Sequence, residues 1–127
     1  VHTISRERCE DRMAAGRGIL ENAKKFGYLE TYRPEICFEY TMLFYVNTLF
    51  SYMVGKGHKS LSFIRKMGNE LKEAFPDFAD NPYYQERVNA EQKKMIAIQQ
   101  RSTAAFVLYY KALWTWRNFR KKHFGKK

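Results

Sequence analysis

The chain has 127 residues, of which 45% are hydrophobic and 17% are aromatic, and its formal net charge is +10. This length fits a single domain, and the apolar content excludes a disordered basic tail because it suffices to form a buried core. The excess positive charge indicates affinity for anionic partners, which include nucleic acid, lipid headgroups and phosphorylated small molecules.

The first predicted helix runs from about residue 5 to residue 26, with Ser5 as its N-cap and Gly27 as its C-terminal stop. Helical spacing predicts a buried face made of Cys9, Met13, Gly16, Leu20 and Ala23. Cys9 and Cys37 are the only cysteines, and their apolar settings favour buried, reduced thiols over a disulfide. Reduced thiols are typical of a cytoplasmic protein, which is the localisation we expect, and the N-terminal sequence shows no signal-peptide pattern.

The second predicted helix spans about residues 33–54, with Pro34 in its first turn. Its predicted inward face comprises Ile36, Tyr40, Leu43, Phe44 and Phe50. The other face is also largely apolar, and beyond the first turn Glu39 is the only charged residue, so a membrane-spanning helix is an alternative. Because polar residues such as Thr41 and Asn47 interrupt the apolar run, we favour a central core helix.

The third predicted helix covers about residues 60–75 and ends before Pro76. Its spacing places Leu61, Ile64, Met67, Leu71 and Phe75 inward, and Arg65, Lys66, Glu70, Lys72 and Glu73 toward water. Next along the chain, Asn81 is predicted to cap a helix that has Pro82 in its first turn. A capping-box spacing then predicts that a new helix starts at Asn89.

The last predicted helix follows the cap Ser102 and runs to about His123. It interleaves the apolar and aromatic residues Phe106, Tyr109, Tyr110, Leu113, Trp114, Trp116 and Phe119 with the basic residues Lys111, Arg117, Arg120, Lys121 and Lys122. From Arg101 to the C-terminus there are eight Lys or Arg and no Asp or Glu. Because no useful strand-like alternation competes, the sequence predicts an all-α fold, an irregular bundle of four to six helices with a basic aromatic C-terminal helix.

Few residues in the sequence suit catalysis or metal binding. None of the three histidines has a partner at zinc-ligand spacing, and Asp77 and Asp80 alone are too few oxygen ligands for a calcium or magnesium site. The glycine-rich turn at residues 55–60 differs from a phosphate-binding loop in residue order, and it follows a helix rather than a strand. We therefore predict no catalytic, cofactor-binding or metal-binding residue in this chain.

The terminal helix remains as the candidate for function, and it fits a core helix with a solvated basic end, an interfacial membrane helix or a nucleic-acid contact. Tryptophan and tyrosine favour the water–lipid boundary, and lysine and arginine attract anionic lipid, so its composition suits a cytoplasmic membrane surface. Nucleic-acid binding is disfavoured because no helix-turn-helix, zinc-finger or RNA-binding pattern organises the charge. The predicted contacts with a membrane surface or another anion are Lys111, Trp114, Trp116, Arg117, Arg120, Lys121 and Lys122.

Short stretches along nearly the whole chain form a recognisable pattern. They are His-Thr-Ile-Ser-Arg at residues 2–6, Ile-Leu-Glu at 19–21, Phe-Gly-Tyr at 26–28, residues 40–47, Phe-Pro-Asp-Phe at 75–78, Asn-Pro-Tyr-Tyr at 81–84 and residues 109–120. In this order they resemble the helical region that follows the catalytic domain in bacterial family-2 glycosyltransferases.

The resemblance implies that residues 1–127 are a single helical accessory domain, the C-terminal fragment of a longer glycosyltransferase without its catalytic domain. The parent enzyme would use a nucleotide sugar and a divalent metal to glycosylate a cell-surface glycan acceptor at the inner membrane face. This chain contains no Asp-x-Asp sequence, so none of the family's catalytic residues carries over to it. The implied partners are the missing catalytic domain, an anionic membrane surface and a second copy of the chain. The alternative is a free-standing basic helical protein that binds nucleic acid or has a regulatory role.

Overall fold

The computed structural model describes residues 6–54 and 59–124, with side chains described for residues 7–54 and 59–120. All regular secondary structure in these ranges is helical, which confirms the expected all-α fold. The predicted cap Ser5 and the glycine-rich turn up to His58 lie outside the described residues. The chain separates into two compact units, Val1–Asn89 and Ala90–Lys127.

The first helix, α1, spans Arg6–Lys25. Its predicted inner face is confirmed, since all five of its residues, Cys9, Met13, Gly16, Leu20 and Ala23, are buried. Gly16 lets α1 approach the chain around Phe44 unusually closely, because a Cβ atom at position 16 would lie 2.8 Å from the Cβ of Phe44. Gly27 ends the helix as predicted, with a φ of 75° and with the following amide of Tyr28 donating to the Ala23 carbonyl at 3.0 Å.

One continuous helix runs through the first unit, and we call it the central rod. It consists of α2 (Arg33–Tyr40), a π-helical segment (Thr41–Val46) and α3 (Asn47–Val54). Most of its side chains are buried or half-buried, as expected for a core helix, and Glu39 is exposed. The sequence predicts the rod but not its π turn, where the Thr48 hydroxyl donates to the Leu43 carbonyl at 2.8 Å. Within the described residues, no helix has both the length and the apolar character needed to cross a membrane.

The amphipathic helix α4 spans Leu61–Ala74, and its cap Ser60 accepts a hydrogen bond from the Phe63 amide at 3.1 Å. Four of the five residues predicted to face inward are buried, namely Ile64, Met67, Leu71 and Phe75. The prediction for Leu61 is wrong, since its side chain is 37% exposed and Phe63 is buried instead. At about 100° per residue, Leu61 and Phe63 lie on opposite sides of the direction shared by the other four residues, each roughly a quarter turn from it, so spacing alone does not decide which of the two is buried.

The segment after α4 is tied to the start of α2 by polar contacts. Phe78 begins a short 3₁₀ turn, Phe78–Asp80, and is buried. The Asn81 side chain caps α5 (Pro82–Arg87) as predicted, accepting from the Tyr83 and Tyr84 amides at 2.9 and 3.1 Å. Its amide nitrogen donates to the Pro34 carbonyl at 2.9 Å. One side chain thus starts a helix and holds it against the central rod.

The second unit is a pair of helices, α6 (Ala90–Arg101) and α7 (Thr103–Phe124). The new helix starts directly after Asn89, as expected, and the predicted cap Ser102 accepts from the Ala105 amide at 3.2 Å. With a single residue between them, the helices fold back on each other, and the Lys94 ammonium lies 5.6 Å from the centre of the Tyr109 ring. Among residues 90–120, whose side chains are described, the buried ones are Met95, Ile96, Gln99, Thr103, Phe106, Val107 and Tyr110.

Candidate functional site

The buried ionisable side chains of the first unit are part of its packed core. Cys9 and Cys37 are free thiols that are almost fully buried, and this burial raises the pKa of both and disfavours the reactive thiolate. The buried Lys59 ammonium donates to the Tyr52 carbonyl in the last turn of α3 at 2.7 Å. Burial also raises the pKa of the Tyr84 hydroxyl to about 12. Among the described residues, no group of His, Cys, Asp and Glu could hold a metal ion.

The residues predicted to contact an anionic surface all lie on α7. Trp114, Trp116 and the basic residues Lys111, Arg117 and Arg120 are exposed, whereas the side chains of Lys121 and Lys122 are outside the described set. Exposure extends around the helix, because between residues 111 and 120 only Leu113 is half-buried and every other residue is exposed. This stretch is therefore a solvated helix that displays aromatic rings and cations.

Trp114 lies on the same side of α7 as the buried residues. Its ring centre is 6.1 Å from that of Tyr110, which is buried, and the Arg117 guanidinium lies 5.8 Å from the Trp114 ring. Arg117 also forms an ion pair with Glu91 of α6. Both residues are thus engaged within the second unit, and part of the Arg117 charge is offset there.

A second group of apolar residues lies on another side of α7. It consists of Leu108, Ala112, Trp116 and Phe119, which we call the Trp116 stripe; all four are exposed. The exposed fractions are 68% for Leu108, 55% for Trp116 and 52% for Phe119. The Arg120 guanidinium lies 4.9 Å from the centre of the Trp116 ring. The stripe combines three large apolar side chains with adjacent cations on one solvated surface.

The charge of the protein is concentrated in the unit that carries this stripe. Residues 90–127 contain ten Lys or Arg and one acidic residue, Glu91, so they hold +9 of the net charge of +10. Glu91 is paired with Arg117, on the side of α7 away from the Trp116 stripe. No acidic residue lies on α7 itself. The exposed part of α7 therefore carries positive charge without local neutralisation by its own helix.

The contacts predicted from the sequence omit two residues of this surface, and they do not distinguish the two sides of the helix. Leu108 and Phe119 are exposed beside Trp116 but are not among the predicted contacts. Spacings of four, four and three residues between positions 108, 112, 116 and 119 are helical and would have identified the stripe. The pairing of Arg117 with Glu91 had no such signal, because it depends on how α6 folds back on α7.

Comparison with protein-family models, with curated proteins and with solved structures finds no match for this chain. The resemblance to family-2 glycosyltransferases therefore stays a prediction from the sequence. Among the described residues, α7 offers the most distinctive surface, an exposed stretch of aromatic and basic side chains.

Proposed function

We propose that this chain is a non-catalytic helical accessory module that associates peripherally with an anionic membrane surface through α7. The observation that carries the proposal is the exposed stretch of α7 from Lys111 to Arg120, where tryptophan and basic side chains share one solvated helix. Tryptophan prefers the headgroup region of a bilayer, and each basic residue near an anionic leaflet contributes about 1 kcal/mol to binding.

An exposed apolar surface favours lipid over nucleic acid as the partner. Leu108 is 68% exposed, and an aliphatic side chain gains little from a solvated phosphate backbone. A lipid surface suits both the apolar and the basic side chains of α7, since apolar groups enter the acyl boundary while the cations remain among the headgroups. Nucleic-acid binding is the principal alternative because the same excess charge supports it.

We further propose, from the sequence resemblance, that the module belongs to a glycosyltransferase. The parent enzyme would take a sugar from a nucleotide-sugar donor, with a divalent metal bound in its catalytic domain, and add it to a surface-glycan acceptor. An acceptor carried on lipid would explain the membrane-binding helix, because the module would keep the catalytic domain at the cytoplasmic face where the acceptor lies. The chain itself would supply no catalytic group.

Sedimentation with liposomes tests the membrane proposal directly. We expect binding to vesicles of phosphatidylcholine with phosphatidylglycerol, weak binding to phosphatidylcholine alone, and a decrease in binding as salt is raised. The test variant replaces five residues of α7 with glutamine, namely Lys111, Arg117, Arg120, Lys121 and Lys122. The control removes the same charge from exposed positions of the first unit, namely Lys24, Lys25, Arg65, Lys66 and Lys72.

The proposal requires that the α7 variant lose most of its vesicle binding while the control variant retains it. Equal binding by the α7 variant and the unmodified protein would exclude the membrane role. A gel-shift experiment with duplex DNA and with RNA separates the alternative. Salt-dependent nucleic-acid binding without affinity for the anionic vesicles would assign α7 to nucleic acid instead.

A further inference from the structure

We infer that α7 lies in the plane of the membrane with the Trp116 stripe inserted at the acyl boundary, and with Trp114 directed away from the bilayer. The inference rests on the proposed membrane association and adds its orientation and its apolar contact. It assigns different environments to two tryptophans that are only two residues apart.

Helical geometry separates the two tryptophans. At about 100° per residue, Leu108, Ala112, Phe119 and Trp116 fall within an arc of about 80°. Trp114 lies about 160° from the middle of that arc, on the side that bears the buried Tyr110. The stripe extends about 17 Å along the helix axis, from a rise of about 1.5 Å for each of eleven residues. This is a continuous surface of three turns rather than a set of scattered side chains.

Cations flank the stripe along both of its edges. Lys111 lies about 60° beyond the edge formed by Leu108, and Arg120 lies about 40° beyond the edge formed by Trp116. Both side chains are exposed, so their apolar stems can follow the stripe while the charged ends reach headgroup phosphates. This arrangement is the one expected for a helix seated at a membrane interface, with the apolar side inward and basic residues at the rim.

The same flanking charges disfavour a second copy of the chain as the partner of the stripe. Pairing two stripes face to face would bring Lys111 and Arg120 of one copy near those of the other, and α7 has no acidic residue to compensate them. An anionic lipid surface complements these charges. The charge pattern thus selects lipid among the partners that an exposed apolar surface could accept.

The two tryptophans are the only ones in the chain, so each can report its own position. The single-tryptophan proteins Trp114→Phe and Trp116→Phe are mixed with phosphatidylcholine–phosphatidylglycerol vesicles that contain lipids brominated along the acyl chain. With insertion about 5–10 Å into the boundary, we expect quenching of Trp116 at least about threefold stronger than quenching of Trp114. The Trp116 emission should also shift to shorter wavelength on binding.

A second pair of variants tests the apolar contact without changing a tryptophan. Leu108→Gln with Phe119→Gln should weaken vesicle binding about tenfold, since two partly inserted apolar side chains are lost. The control, Phe26→Gln with Val54→Gln, changes residues of the first unit that are 67% and 64% exposed and should bind as the unmodified protein does. Circular dichroism verifies that both variants keep their helices.

The outcomes separate the orientation from the membrane role itself. Vesicle binding with equal quenching of both tryptophans, or with stronger quenching of Trp114, would overturn the orientation and leave the membrane role standing. If neither the unmodified protein nor any of its variants binds the vesicles, both the orientation and the membrane role are overturned. Self-association that disappears in the Leu108→Gln, Phe119→Gln variant, in the absence of quenching by lipid, would assign the stripe to a second copy of the chain.

Discussion

Arg17 of α1 and Glu70 of α4 form a two-point ion pair, with Nε to Oε2 at 2.5 Å and Nη2 to Oε1 at 2.8 Å. The Arg17 guanidinium also lies 5.4 Å from the centre of the Phe44 ring. The pair therefore links the first and fourth helices across the central rod. Its side chains are 43% and 32% exposed, so solvent screens a large part of the attraction.

We expect Arg17→Met to lower the free energy of unfolding by about 1 kcal/mol, because it removes the two charge-assisted hydrogen bonds and keeps an apolar stem beside Phe44. Glu70→Gln should have a similar effect. In a double-mutant cycle followed by urea denaturation, the coupling energy between the two positions should be about 0.5–1 kcal/mol. A coupling energy of zero would show that the pair does not link the helices energetically.

The close approach of α1 to the π segment predicts opposite effects at two glycines of the same helix. In Gly16→Ala the new Cβ would lie 2.8 Å from the Phe44 Cβ and 3.2 Å from its Cα, atoms that cannot move away easily. We expect a net loss of about 1–2 kcal/mol, since the overpacking exceeds the gain in helix propensity. Gly18→Ala meets nothing within 4 Å and should stabilise the protein by roughly 0.5–1 kcal/mol. Thermal denaturation of both variants measures the contrast, and two effects of the same sign would contradict it.

The two hydrogen-bonding roles of Asn81 are separable by substitution. Asn81→Ala loses the cap of α5 and the bond to the Pro34 carbonyl, and should lower the free energy of unfolding by about 2 kcal/mol. Asn81→Asp keeps the capping acceptor but loses the amide donor, so its effect should be intermediate. Ser60→Ala removes a cap alone and should cost about 1 kcal/mol. Urea titrations that rank Ser60→Ala as more damaging than Asn81→Ala would contradict this assignment.

The contact between Arg33 and Asp77 predicts a dependence of stability on pH. The Arg33 guanidinium donates to both carboxylate oxygens, at 3.1 and 3.2 Å, and these bonds hold the pKa of Asp77 below its usual value of 3.8. A carboxyl whose pKa is lowered on folding contributes stability that is fully present above about pH 4 and is lost as the pH falls through the folded value. Asp77→Asn should remove this contribution.

The test compares melting temperatures of the unmodified protein and the Asp77→Asn variant over the acidic range. The difference between them should be constant near neutral pH and should shrink as the pH falls below about 4. A difference that stays constant to the lowest pH reached would show that the ion pair does not contribute to the stability of the protein.

Much of the fold follows from helical periodicity and from turn chemistry. The buried face of α1, the caps Ser60, Asn81 and Ser102, and the stop at Gly27 depend on residues within a few positions of one another, so the sequence predicts them. Leu61 shows the limit of this approach. Its spacing from Ile64 fits a helical face, but the direction of the core as a whole leaves it exposed.

The candidate site depends more strongly on tertiary structure. Composition alone identifies α7 as basic and aromatic, and it treats Trp114 and Trp116 as equivalent. They differ because Trp114 continues the side of Tyr110, which is buried, and because Glu91 on another helix pairs with Arg117. The spacing of four residues between Tyr110 and Trp114 is a local helical signal, but the burial of that side of α7 and the pairing of Arg117 with Glu91 depend on the folded chain.

The π segment in the central rod determines how that rod tolerates changes in length. A π turn has about one residue more than an α-helical turn, so the segment Thr41–Val46 accommodates one extra residue. Relative to a continuous α-helix of the same sequence, α3 is therefore rotated back by about 100°. That rotation brings Thr48 and Tyr52, which are both buried, to within about 20° of the direction of Tyr40. Deleting one residue within this segment would restore an ordinary α-helix without changing the phase of α3, whereas the same deletion in α1 or α4 would turn half of a buried face toward water.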